Sequence, residues 1–163
     1  MCGRLVLIDS IIHWLTATDA SRVIKQYFWI VPTVQSIHII SEAIVFSSSV
    51  LLLLRAWGLI ALDLSQASLA RRLIPGLVGA AVMLVLTGSI MIVGEPSRVL
   101  TNATFQHKML AVVFVIPVFF YAAKLFGRAD EVGESRLLLR ALTVVVTTIL
   151  VFIICSGRWI AYT

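Results

Sequence analysis

Four apolar runs, each about twenty residues long, occupy most of this chain. They cover roughly residues 34–54, 73–93, 105–123 and 141–157. Each is close to the ~20 residues a helix needs to cross hydrocarbon. Lipid offers the backbone no hydrogen-bond partners, so such segments must be helices. Of the 163 residues, 60% are hydrophobic and 13% charged. A soluble domain of this size cannot cover that much apolar surface, so the bilayer is the expected solvent. The expected fold is therefore an all-α integral membrane protein, a four-transmembrane-helix up-down bundle. The length leaves room for one such domain, over 34–163, and no separate soluble one.

Residues 1–33 read differently. Leu5, Ile8, Ile11, Ile12, Leu15, Val23, Ile24, Tyr27 and Phe28 alternate with Asp9, His13, Asp19, Arg22 and Lys25 at roughly helical spacing. Two short amphipathic helices lying on the membrane surface are expected, separated near Thr18-Asp19-Ala20-Ser21. Trp14, Tyr27 and Trp29 would sit at headgroup level, and Pro32 would turn the chain into the first span. The first 20 residues contain Asp9, His13 and Asp19 and no sustained apolar core, so no cleavable signal is expected there.

The formal net charge of +5 does not point to nucleic acid. The cations flank the apolar runs, which reads as topology and contact with lipid headgroups. Arg4, Arg22, Lys25, Arg98, Lys108 and Arg158 fall on one side; Arg55, Arg71, Arg72, Lys124, Arg128, Arg136 and Arg140 fall on the other. The second group lies in short loops against span ends, where the positive-inside rule counts most. Both termini are therefore expected outside.

Two histidines share a predicted depth. His38 lies 17 residues before Arg55, and His107 lies 17 before Lys124. At ~1.5 Å per residue each stands ~25 Å from the cation that closes its span. Spans one and three run the same way, so both imidazoles belong to one layer. That arrangement suits axial ligation of a b-type haem. Two alternative readings are a copper or zinc site of the pair with Glu42, and interfacial histidines bonded to backbone or water. Lys108 and Arg158 reach the same level and could pair with haem propionates, or simply anchor span ends.

Span one carries a polar stripe: His38, Ser41, Glu42, Ser48 and Ser49 share a face by i, i+3, i+4 spacing. That face should point inward. Glu42, one turn from His38, is expected to be hydrogen-bonded, either orienting the imidazole or relaying protons. Gly76, Gly79, Ala80 and Gly88 of span two, with Ala122 and Ala123 of span three, read as helix packing. Cys2 and Cys155 form no metal spacing. No phosphate-cradling glycine loop, G-x-S-x-G elbow, H-E-x-x-H or selectivity-filter sequence occurs.

The chain resembles a group of small four-helix bacterial membrane proteins. The resemblance lies in Trp29-Ile30-Val31-Pro32 leading to Gln35-Ser36-Ile37-His38, in Leu54-Arg55-Ala56-Trp57-Gly58-Leu59, in Thr87-Gly88, and in Asn102-Ala103-Thr104-Phe105-Gln106-His107-Lys108-Met109. It implies the bundle architecture and a bacterial cytoplasmic membrane. In general form the chain also looks like small cytochrome b-type membrane subunits. That likeness implies an electron-transfer subunit holding one haem b between His38 and His107. It would exchange electrons with quinone or a partner protein. The alternative is a cofactor-free anchor subunit of a larger membrane complex. Either way the expected partners are membrane lipids and other membrane subunits, with no nucleic acid.

Overall fold

The computed structural model describes residues 2–128 and 136–160. Among the described residues the fold is wholly helical: α1 (Cys2–Ala17), α2 (Asp19–Gln26), α3 (Ile30–Ala56), α4 (Gln66–Gly94), α5 (Pro96–Leu100), α6 (Ala103–Arg128) and α7 (Arg136–Ile160). Four of these, α3, α4, α6 and α7, are long and apolar enough to cross a membrane. α1 and α2, with 16 and 8 residues, are too short to add a fifth span.

Local chemistry sets the helix starts. Thr18 Oγ1 accepts from the Ser21 N–H at 3.3 Å and caps α2. Ser65 Oγ accepts from the Ser68 N–H at 3.1 Å and caps α4. Asn102 Oδ1 accepts from the Thr104 N–H at 2.9 Å, at the entry to α6. Pro32 does not precede α3 but sits in its first turn, where its missing N–H would have no helical partner anyway. All four long helices outrun their apolar runs at both ends. Hydropathy marks the stretch suited to hydrocarbon; the helix itself continues into polar sequence.

Three contacts fix the up-down order. His38, early in α3, meets Thr87, late in α4. Lys108, early in α6, lies against Gly157, late in α7. Arg140, early in α7, reaches the Ala56 carbonyl at the end of α3. Each neighbouring pair is therefore antiparallel. The long helices form a ring, α3 against α4, α4 against α6, α6 against α7 and α7 against α3, which leaves α3 and α6 diagonal.

The larger buried cluster among the described residues lies in the half where α3 ends. There Leu52, Ala56, Ala70, Leu77, Phe126 and Leu139 form one cluster. Arg140 Nε donates to the Ala56 carbonyl at 3.1 Å, and its guanidinium lies 5.5 Å from the Trp57 ring centre. Gly58, with φ of +73°, then turns the chain away from α3. Ala80 and Ala122 are buried as small packing residues. Gly76 and Gly79 are not: a Cβ at either would meet nothing within 4 Å, because that face of α4 points away from the bundle.

α1 and α2 pack at the other end. α2 separates its faces, with Ser21 buried and Ile24 against Gly94 while Arg22 and Lys25 are exposed. α1 turns Ile8, Ile12 and Leu15 partly inward yet exposes Ile11 and Trp14 beside Asp9 and His13. The exposed aromatic residues Trp14, Tyr27, Phe28 and Trp29 cluster at this end.

Candidate functional site

The polar stripe of α3 points into the helix ring as its spacing predicts. Ser41, Ser48 and Ser49 are buried, and His38 and Glu42 are partly buried. The partners of His38 and Glu42 come from two different helices.

His38 faces α4. Its Nδ1 lies 2.7 Å from Thr87 Oγ1, and Thr87 Oγ1 lies 2.6 Å from the Met83 carbonyl oxygen. A hydroxyl has one proton. With that proton donated to Met83, the Thr87 oxygen accepts from Nδ1–H. This chain assigns the Nδ1–H tautomer to a neutral His38 and leaves the Nε2 lone pair free. Gly88 follows, and a Cβ there would lie 3.6 Å from His38 Cε1, an ordinary contact. The imidazole thus rests against the backbone side of α4.

Glu42 faces α6. Lys108 Nζ stands 3.6 Å from Glu42 Oε1, with the two side chains only 13% and 17% exposed. This is an ion pair rather than a hydrogen bond, since the separation exceeds hydrogen-bond length. Among the described residues no donor lies within hydrogen-bond distance of either carboxyl oxygen. The expected hydrogen bond to Glu42 is replaced by a charge contact. Lys108 also borders α7: a Cβ on Gly157 would come within 3.0 Å of its Nζ. His38 lies within electrostatic reach of both Glu42 and Lys108. One polar layer therefore draws on all four long helices: His38 and Glu42 from α3, Thr87 from α4, Lys108 from α6 and the bare backbone of Gly157 from α7.

His107 lies at the depth of this layer but does not face into it. It is exposed, one residue and so ~100° around α6 from the lysine that faces α3. The residues present do not form a bis-histidine haem clamp between α3 and α6. The inward position on α6 belongs to Lys108, which is already paired. Nor do the described residues hold three histidine, cysteine or carboxylate side chains grouped for a metal ion. The non-haem copper or zinc site of His38, His107 and Glu42 is therefore not assembled. Arg158 is exposed in the last turn of α7, one residue beyond Gly157 and at the same end of the bundle as Lys108.

Sequence reasoning missed the partners rather than the principals. Thr87 entered the sequence reading only in the Thr87-Gly88 pair that carries the resemblance, with no role of its own. Its spacing from the end of α4, matched with that of His38 from the start of α3, is the signal that could have found it. Comparison with protein-family models, curated proteins and solved structures finds no match for this chain.

Proposed function

We propose that this chain is a four-span integral membrane protein whose polar layer exchanges protons within the hydrocarbon, as the embedded subunit of an electron-transfer assembly. The observation that supports it is the Glu42–Lys108 pair beside a histidine with a free Nε2, inside a helix ring whose other buried polar groups are hydroxyls. Ionisable groups at such depth cost folding free energy and persist where they serve a function. Nε2 is a base, the Glu42 carboxylate lies one turn along α3, and both side chains are partly rather than fully buried. In this reading α1 and α2 lie along one membrane face, with Trp14, Tyr27, Phe28 and Trp29 among the headgroups.

The test is to follow the histidine ring nitrogens by NMR in lipid nanodiscs between about pH 5 and pH 8, where imidazole ordinarily titrates. His38 should take up a proton at Nε2 while Nδ1 keeps its own. A His38 that stays in one neutral form throughout would sink the proton-exchange reading and leave the cofactor-free anchor subunit standing.

One observation favours a second reading, a cytochrome b-like subunit holding a single haem. Histidines that ligate a metal commonly anchor their other nitrogen, as Thr87 anchors Nδ1 here. His107 does not supply the opposite ligand in this arrangement, so the second ligand would come from elsewhere. A pyridine haemochrome assay on protein purified with its native partners decides: a haem-to-chain ratio near zero removes this reading.

A further inference from the structure

Hydroxyls inside the helices of this protein usually return their proton to a carbonyl one turn back. Ser41 does so to Ile37 at 2.8 Å, Thr87 to Met83 at 2.6 Å and Thr143 to Leu139 at 3.0 Å. Ser49 does not. It is only 4% exposed, and its Oγ meets no hydrogen-bond partner among the described residues. A buried hydroxyl left without a partner costs folding free energy, so this oxygen points to a ligand.

Ser49 stands on the wall of a cavity of about 20 Å³ in the middle of the helix ring. All four long helices contribute to that wall: Leu52 beside Ser49 from α3, Leu77 from α4, Phe126 from α6 and Thr143 from α7. Thr143 is its other polar residue. The single Thr143 proton is shared between the Leu139 and Arg140 carbonyls, at 3.0 and 2.9 Å, so its oxygen is left to accept. α3 and α7 thus bring a free donor and a free acceptor to one small space.

Size and wall together select the ligand. A water needs about 10–15 Å³ of such space and at least two polar partners, and this cavity supplies both. An organic molecule does not fit. A metal cation would demand several oxygens and a compensating charge, and no carboxylate lines the cavity among the described residues. An apolar gas would leave the Ser49 hydroxyl unpaired.

We propose that this cavity is a binding site for one ordered water, which bridges α3 and α7. Ser49 Oγ–H donates to the water, and the water donates to Thr143 Oγ1. The bridge lies seven residues along α3 from Glu42, ~10 Å deeper into the bundle, where the surrounding wall is apolar. Neither His38 nor the Glu42–Lys108 pair takes part, so the site stands independently of the proton-exchange reading.

The first measurement is solid-state NMR of the full chain in lipid bilayers, with polarisation transferred from water to the protein carbons. Ser49 and Thr143 should both receive it, and in Ser49→Ala the Thr143 signal should lose it. Thermal unfolding in nanodiscs is the second. Ser49→Ala should lower the unfolding temperature by about 2–4 °C, because the water loses one of its two partners. Thr147 is the control. Its Oγ1 is also buried without a partner among the described residues, but it does not line the cavity. Thr147→Val should therefore leave the unfolding temperature unchanged or raise it. In a dry cavity Ser49→Ala would behave like Thr147→Val, since it would simply remove an unpaired hydroxyl. That result would overturn the proposal, as would a native Ser49 that receives no polarisation from water.

Discussion

Lys108 Nζ stands 3.6 Å from Glu42 Oε1, joining two diagonal helices that otherwise have little contact. α3 and α6 each pack chiefly on their ring neighbours, so this ion pair is the bridge across the middle of the polar layer. Two opposed charges in such surroundings are mutually dependent: each is tolerable only while the other is present.

The first prediction follows from that dependence. Lys108→Met leaves the Glu42 carboxylate without its counter-charge. The expected loss is about 3 kcal/mol, the low end for breaking a buried pair, because both side chains keep a little exposure. The double variant Glu42→Leu, Lys108→Met should recover most of that loss. Thermal unfolding in nanodiscs measures both. A double variant no more stable than the single one would show that the pair is not the unit of stability.

Thr87 gives the second. Thr87→Val keeps the shape and removes the oxygen that accepts from His38 Nδ1–H. A partly buried N–H is then left unpaired, at a cost of about 1–2 kcal/mol. The histidine NMR spectrum should lose its single tautomer and show a mixture. Thr87→Ser, which retains the hydroxyl, should keep the Nδ1–H form. If Thr87→Val leaves the tautomer untouched, the hydroxyl relay from His38 to Met83 is wrong.

Much of this architecture was legible in the sequence, and the limits have physical causes. The four long apolar helices follow from run length, and the inward face of α3 from a polar stripe on an apolar helix. α6 has no such stripe. His107 and Lys108 are adjacent and both polar, and periodicity cannot say which one faces α3. The matched offsets placed the right layer but favoured the wrong neighbour, because depth along a helix carries no information about rotation around it. The short α5 was invisible for another reason. Its five residues are held by Pro96 at the first turn and by the Arg98–Glu95 pair at 3.0 Å, with too little length for any period to show. The spare backbone of Gly157 becomes meaningful only once Lys108 is seen lying against it.

Gly157 is accordingly the third test. Gly157→Ala should be mildly stabilising as helix chemistry, by up to about 1 kcal/mol. Its new Cβ, however, would lie 3.0 Å from Lys108 Nζ. The flexible end of the lysine must move, so the fold should survive while the ion pair opens. The expected signature is a net loss of stability smaller than that of Lys108→Met, since the helix gain offsets part of the opened pair, together with an altered His38 titration. An unchanged titration would mean that Lys108 is not held where Gly157 admits it.

The last prediction concerns the opposite end, where one arginine closes the ring. Arg140 Nε donates to the Ala56 carbonyl at 3.1 Å, and its guanidinium lies 5.5 Å from the Trp57 ring centre. The carbonyl belongs to the last turn of α3, where helix oxygens lack helical partners and a cation is favourable. Trp57 follows directly, so a single side chain both caps α3 and fixes the turn leading to α4. Arg140→Ala removes the bond and the stacking together and should cost about 2 kcal/mol. Arg140→Lys keeps the charge but loses the planar fork, and should recover less than half of that loss. Trp57→Leu removes only the stacking, which is worth about 0.5–1 kcal/mol at an exposed ring. The Arg140→Ala, Trp57→Leu double variant should lose less than the sum of its parts, since the two residues act through one contact. Strict additivity in thermal unfolding would show that the arginine holds α3 through the backbone alone.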